Sequence, residues 1–302
     1  MGSPGVITDE QWQDLLRVRA TQPEAVAKAY ANRKQAPSLL SDRGTLFLVA
    51  ADHPARGSLA VKTNPLAMAD RRSMLDRILT ALDNPAVDGV LASPDVIEEL
   101  LLLGALDGKV VIGSMNRGGL DGTTWTMDDR FTAYDAQSIE QCRLDGGKML
   151  VRLDDQDPGT ASTLEACGAA VTALAARGLV AMVEPLPYVR GADGALVLQR
   201  DTRSLVRAIT VASALGVTSA HTWLKVPSCD DPATVFGATT LPCVVLGGLP
   251  GPADEDLTSW GRALTQPTVR GLVVGRALLY PDDGDVPGAV AAAARVLRAA
   301  KG

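Results

Sequence analysis

The chain is short of several things, and each shortage narrows its chemistry. Only His53 and His221 are histidines, whereas a catalytic zinc usually takes two or three with a suitably placed carboxylate or thiolate. No metal site is expected. The four cysteines, Cys142, Cys167, Cys229 and Cys243, form no C-x-x-C pair, so free thiols in a reducing cytoplasm are the expectation. No apolar stretch approaches membrane-spanning length, and the N-terminus lacks a basic region followed by an apolar run. Cations are outnumbered, 29 Lys and Arg against 35 Asp and Glu, for a net charge of −6. That balance offers no footprint for nucleic acid or an anionic membrane. No G-x-G-x-x-G follows the first strand-like run, which weakens a dinucleotide-binding reading, and no cofactor is expected.

What is present is apolar and periodic. With 302 residues, 46% of them hydrophobic, the chain can bury one large core. Thr8-Asp9-Glu10-Gln11 fits a capping box, and Trp12, Leu15, Leu16 and Val18 then share a helical face. A second helix is expected from Pro23 to Lys34, giving a helical extension over residues 1–40. Eight apolar runs follow over residues 41–302: Thr45–Ala51, Gly89–Ala92, Val110–Gly113, Met149–Leu153, Val180–Val183, Thr222–Val226, Cys243–Leu246 and Leu272–Val274. Runs of this kind are strands buried on both faces, as in parallel sheets. Helical patterns separate them, at Ala69–Asp83, Asp95–Leu103, Ala136–Gly146, Thr163–Arg177, Thr202–Leu215, Pro232–Ala238, Asp256–Thr265 and Gly288–Ala300. Eight alternations predict a (β/α)8 TIM barrel with an N-terminal helical extension. Two connections are long, Ser114–Phe131 and Pro185–Asp201, and are expected to form a lid or substrate wall.

Active sites of such barrels lie at the C-terminal strand ends. Those ends carry Asp52, Arg152 with Asp154, Glu184 and Lys225. In His221-Thr222-Trp223-Leu224-Lys225-Val226-Pro227, Trp223 and Lys225 share a face, and Pro227, lacking an N–H, ends the strand. A lysine there is costly to desolvate unless paired or neutral. It suits a Schiff-base nucleophile, which attacks a ketone only as the free amine and so needs a pKa below about 10.4. Lys148 and Arg152 share parity on the fourth strand and could supply the cation that lowers it. Asp52 and Glu184 are candidate proton carriers. The plainer alternatives are a buried Lys225–Glu184 ion pair closing the barrel mouth, an Asp52 that caps a helix near Ala67 or holds the Arg56 turn, a Lys148 in a lower barrel layer, and structural roles for both histidines. His53, Asn116 and Arg117 are candidate substrate contacts. The turns Gly247-Gly248 and Gly275-Arg276 fit a phosphate, which glycine-rich turns after the last two strands often bind in this fold.

These residues together resemble the class I aldolases of the group containing deoxyribose-phosphate, tagatose-bisphosphate and sulfofructose-phosphate aldolases. The resemblance rests on Ala51-Asp52-His53-Pro54-Ala55-Arg56-Gly57, Lys148-Met149-Leu150-Val151-Arg152, Val183-Glu184-Pro185, Leu224-Lys225-Val226-Pro227 and Val274-Gly275-Arg276-Ala277. It implies that Lys225 forms the imine, that Asp52 and Glu184 handle protons and substrate hydroxyls, and that Lys148 supports Lys225. Where several relatives carry a tyrosine this chain has Arg152, an arginine able to hold a carboxylate bidentately. The chain is also similar to aldolase-like barrels of actinobacterial inositol catabolism. That likeness implies a phosphorylated deoxy-keto-gluconate split to dihydroxyacetone phosphate and malonate semialdehyde. The expected protein is a cytoplasmic, metal-independent aldolase acting on a small-molecule sugar phosphate, and a homo-oligomer. A transaldolase or sulfosugar aldolase using the same lysine, and a non-catalytic sugar-phosphate-binding barrel, are the alternatives.

Overall fold

The computed structural model describes residues 6–192, 194–247 and 253–301. Two helices come first, α1 (Asp9–Thr21) and α2 (Glu24–Asn32). The Thr8 hydroxyl accepts from the Gln11 N–H and the Gln11 side chain accepts from the Thr8 N–H, which is the capping box read from sequence. Eight parallel strands follow: β1 (Leu46–Ala51), β2 (Gly89–Ala92), β3 (Val110–Ser114), β4 (Gly146–Leu153), β5 (Val180–Arg190), β7 (Thr222–Pro227), β8 (Cys243–Leu246) and β9 (Val269–Val274). A short ninth strand, β6 (Leu196–Leu198), pairs antiparallel with β5 alone. Since β1 pairs with both β2 and β9, and β4 with both β3 and β5, the eight parallel strands close into a barrel. The chain is a (β/α)8 TIM barrel preceded by a helical extension.

Helices α3 (Arg71–Leu82), α4 (Pro94–Leu102), α5 (Ala136–Gln141), α6 (Gly159–Ala175), α7 (Thr202–Ser213), α8 (Pro232–Gly237), α9 (Ala253–Leu264), α10 (Arg276–Leu279) and α11 (Val286–Lys301) complete it. Strand periodicity sorts the apolar residues into two cores. Phe47, Val49 and Ala51 of β1 belong to the shell between barrel and helices. Leu46, Leu48 and Ala50 point inward, where they meet Leu91, Ile112, Met182, Trp223 and Val244. Ala36, Leu39 and Leu40, which follow α2, pack on that inner core, so the extension reaches the barrel interior itself.

Three expected boundaries are corrected. The helix predicted for Ala136–Gly146 ends at Gln141, because Arg143 adopts a left-handed φ of 55° and Gly146 already pairs with Val180 and Ile112. The fourth strand accordingly begins three residues before Met149. There, Gly146 and Gly147 leave room for the Val180 backbone and the Met115 side chain, which a Cβ would strike. The fifth strand does not stop at Val183 but runs through Pro185 and Pro187 to Arg190. Its pairing with β7 stops at Val183, so both prolines lie beyond that ladder, where a missing N–H costs little. The expected Pro185–Asp201 loop is therefore largely a β5–β6 hairpin.

Candidate active site

The polar residues of the mouth continue the inward-facing rows of the barrel. On β1 the row Leu46, Leu48, Ala50 leads to Asp52; on β5, Met182 leads to Glu184; on β7, Trp223 leads to Lys225. Ser114 ends β3, and Lys148 lies on β4 opposite it. The same alternation that fills the lower barrel with apolar side chains thus lays a charged layer on top.

That layer is one connected network. Lys225 Nζ donates to Glu184 Oε1 at 2.6 Å. The other oxygen of Glu184, Oε2, contacts Lys148 Nζ. Lys148 also donates to Asp52 Oδ2 at 3.1 Å, and the same oxygen accepts from Ser114 Oγ at 3.0 Å and pairs with Arg117. Asp52 and Lys148 are fully buried, with Glu184 and Lys225 nearly so. Burial pushes the Asp52 carboxyl up, but Arg117 and Lys148 outweigh it and hold it well below the usual carboxylate range. The same contest at Glu184, with Lys148 and Lys225 as its cations, brings that carboxyl down to about 2. Burial lowers Lys148, and Arg117 adds to that, against the pull of its two acids. His53 is driven well below its ordinary value, chiefly by burial, with Asp52 pulling the other way and Arg276, Arg117 and Lys225 adding to the lowering.

Above the network lies a cavity of about 350 Å³. Lys225, Glu184, Arg117, His53, Gly247, Gly275 and Arg276 line it, as do Arg56, Ser58, Tyr188 and Arg200 and a set of leucines from β4, β5, β6 and β8. Lys148 and Asp52 do not; they sit beneath it, in contact with the groups that do. Gly275 is glycine for close approach, since a Cβ there would meet the Ala50 carbonyl and the His53 ring. Gly248 lies outside the described residues. His221 precedes β7 and is at the opposite end of the barrel from the mouth.

Two expected substrate contacts are placed elsewhere. The Asn116 side chain donates to the Leu150 carbonyl and accepts from the Leu150 N–H, both at 2.7 Å, which fixes the start of the Ser114–Phe131 connection to β4. Arg152 has the inward parity expected of it, but it lies under that connection rather than in the cavity. It donates to Asp129 Oδ2 at 2.8 Å, Thr126 Oγ1 at 3.2 Å and the Gly119 carbonyl at 3.2 Å. Neither does Asp52 cap a helix near Ala67, because Asp70 caps α3. Leu186, Tyr188, Leu196, Leu198 and Arg200 of the cavity belong to the Pro185–Asp201 connection expected as a lid or substrate wall, whereas Arg56, in the quoted Asp52 motif, and Ser58 were not singled out as contacts. Inward parity along β5 would have found Leu186 and Tyr188, had the prolines not hidden the strand.

Among the described residues no three or more His, Cys, Asp or Glu are grouped to hold a metal ion. No helix among them is long and apolar enough to cross a membrane.

Comparison with solved structures finds the same barrel. The crystal structure of Cgl0159 from Corynebacterium glutamicum is 46% identical, superposes with a TM-score of 0.95, and the match covers 98% of this chain and 99% of that one. An archaeal fructose 1,6-bisphosphate aldolase matches at 17% identity and TM-score 0.66, over 91% and 99% of the two chains. A structure of an archaeal fructose-1,6-bisphosphate aldolase with its catalytic Lys covalently bound to the carbinolamine intermediate of the substrate matches at 17% and 0.66 over 90% and 99%. At such identity the aldolases show the fold alone. No curated protein matches the chain. A family model described as Cgl0159-like matches residues 44–294, nearly the whole barrel. The chain belongs to the Cgl0159-like family.

Proposed function

We propose that the protein is a class I aldolase that cleaves a phosphorylated keto-sugar or keto-sugar acid through a Schiff base on Lys225. One observation carries the reading: Glu184 is shared between two buried lysines, of which Lys225 alone lines the cavity. A nucleophilic amine needs a proton carrier in hydrogen-bond reach, and Glu184 at 2.6 Å is in reach. Glu184 takes a proton from the paired Lys225, and the amine so freed adds to the substrate ketone. Glu184 delivers a proton to the carbinolamine oxygen, water leaves, and the iminium remains. Glu184, again a carboxylate, then takes the proton of the hydroxyl on the far carbon of the bond to be broken, the carbon that becomes the aldehyde. That C–C bond breaks, its electron pair passes to the iminium nitrogen as an enamine, and the aldehyde departs. Protonation of the enamine carbon and hydrolysis release the ketone and restore the amine.

Asp52 is assigned a different part from the one its motif implies. Being under the cavity and tied to Lys148, Arg117 and Ser114, it acts as a positioning residue that holds Lys148 against Glu184. Arg276 and the Gly275 and Gly247 turns take the substrate phosphate, supported by their place after the last two barrel strands. The archaeal aldolases of the same fold act on fructose 1,6-bisphosphate by name. The deoxy-keto-gluconate phosphate implied by the likeness to barrels of inositol catabolism is one member of the proposed substrate class.

Incubation with dihydroxyacetone phosphate, borohydride reduction and peptide mass spectrometry test the reading. The expected result is a reduced adduct on Lys225, lost in Lys225→Ala. An adduct elsewhere, or none with any phosphorylated ketose, overturns it.

A further inference from the structure

Away from the barrel mouth, a cavity of about 380 Å³ lies in the outer helix layer between α9, α10 and α11. Ala253, Leu257 and Trp260 recur at four and three residues along α9, and Ala289 and Ala292 at three along α11, so each helix turns one face to it. Ala277 and Leu278 of α10 line it between them. The walls are therefore apolar and, on the α11 side, flat. None of these residues lines the Lys225 cavity.

Two polar atoms mark it as a site. Trp260 is 2% exposed and its Nε1 has no hydrogen-bond partner, and the Tyr280 hydroxyl is also buried without one. Both side chains line this cavity. An indole N–H can only donate, whereas a tyrosine hydroxyl can donate or accept. Buried polar groups are nearly always satisfied, so two unpaired ones at a single cavity call for acceptors from outside the chain. Neither side chain is loosely held. Trp260 packs behind the end of β8, its Cζ2 3.4 Å from where a Cβ on Gly247 would stand. Arg77 stacks over the Tyr280 ring, 4.7 Å from its centroid, and donates to the Leu279 carbonyl. The rim selects by charge. Asp254, Asp256, Asp282 and Asp283 line the cavity against Lys62 and Arg295, and Lys62 is paired with Asp282. A phosphorylated ligand meets like charge there. A polyamine would suit the aspartates but has no acceptor for Trp260 or Tyr280.

We infer that this cavity binds an uncharged, amino-substituted nitrogen heterocycle of the nucleobase type, as the free base or its nucleoside. Ring nitrogens accept from Trp260 Nε1 and the Tyr280 hydroxyl, the amino group donates to the aspartate rim, and the flat ring lies against the alanines of α11. Such bases carry acceptor and amino donor side by side on one edge, and the cavity has the size and apolar lining of small-molecule sites. The site is separate from Lys225 and independent of the aldolase reading.

Adenine, adenosine, cytidine and adenosine 5′-monophosphate are the probes, titrated into the 15N-labelled protein and followed by its indole N–H signals. The chain has four tryptophans, and the signal missing from Trp260→Phe is that of Trp260. At least one of the three uncharged probes should move this signal downfield and saturably, as an N–H does on gaining an acceptor. Adenine against adenosine shows whether the ribose belongs to the ligand. The monophosphate should bind several-fold more weakly than adenosine. Trp260→Phe and Tyr280→Phe keep an aromatic ring in place, and by calorimetry each should weaken the tightest probe about three- to tenfold, the range for one neutral hydrogen bond. The remaining indole signals, unmoved, report that the variants are folded. No saturable shift of the Trp260 signal with any uncharged probe, a monophosphate that binds as tightly as adenosine, or an affinity unchanged in both variants overturns the inference.

Discussion

At the scale of single residues, Glu184 decides what the site can do. Its carboxylate is the shared partner of two ammonium groups, and removing its charge while keeping its shape leaves Lys148 with Asp52 alone and Lys225 with no acid. Glu184→Gln should therefore slow formation of the borohydride-trapped Lys225 adduct by roughly 10²- to 10⁴-fold, the range for losing a positioned acid–base group. The time course of adduct formation by mass spectrometry checks this, and a rate within a few fold of the parent would remove Glu184 from the chemistry. Asp52→Asn acts differently, because it leaves Arg117 buried with no acid and Lys148 with Glu184 alone. Breaking a buried pair from one side costs about 3–5 kcal/mol, which urea unfolding followed by circular dichroism would show. The positions of Asp52, Glu184 and Lys225 were legible because each sits where an apolar strand run meets its first charged residue. Arg152 was not. Its parity was right, but its partner Asp129 is in a connection with no periodicity to reveal where it folds back.

At the scale of elements, the barrel was legible and its trimmings were not. Eight apolar runs with helical spacers specify the barrel, since only strands buried on both faces are continuously apolar. The β5–β6 hairpin was hidden by Pro185 and Pro187, whose local meaning is a stop; what overrides it is that β5 outruns its β7 neighbour. The extension shows the reverse case. Its first cap was readable in four residues, whereas its anchoring depends on long-range contacts no local pattern predicts. Arg33, almost wholly buried, donates to the Lys109 carbonyl at 2.9 Å and to the Arg143 carbonyl, and lies 3.6 Å from Asp145. It thereby pins the end of α2 to the chain entering β3 and β4. Tyr30 and Tyr134 join their hydroxyls at 2.6 Å nearby. Arg33→Met should cost about 1.5–3 kcal/mol, the range for hydrogen bonds to a charged group. Hydrogen exchange should report the loss first in the α2 amides. Uniform loss across the barrel, with α2 no more exposed than the rest, would show that the extension is not held mainly at this point.

For the molecule as a whole, the charged layer ties stability to pH in a direction the two acids fix. Asp52 is held well below its ordinary value, and Glu184 is brought down to about 2. In the unfolded chain both titrate near pH 4. Between the folded and unfolded values the unfolded state binds more protons, so stability falls as pH falls. The contribution of these acids is fully present above about pH 5, where both states are ionised, and is lost on acidification from about pH 4 toward pH 2. Protonation has a further cost, because it strands Arg117, Lys148 and Lys225 in a barrel whose next layer down is apolar. The urea midpoint of the protein should accordingly be flat with respect to this network from pH 7 to 5 and drop steeply below 4. In Glu184→Gln the starting stability is lower, but the drop below pH 4 is shallower, because one of the two protons taken up on unfolding is gone. Parallel curves for parent and variant would place the acid sensitivity elsewhere among the 35 acidic residues. A convergence of the two curves at low pH would assign it to the carboxylate that Lys225 faces.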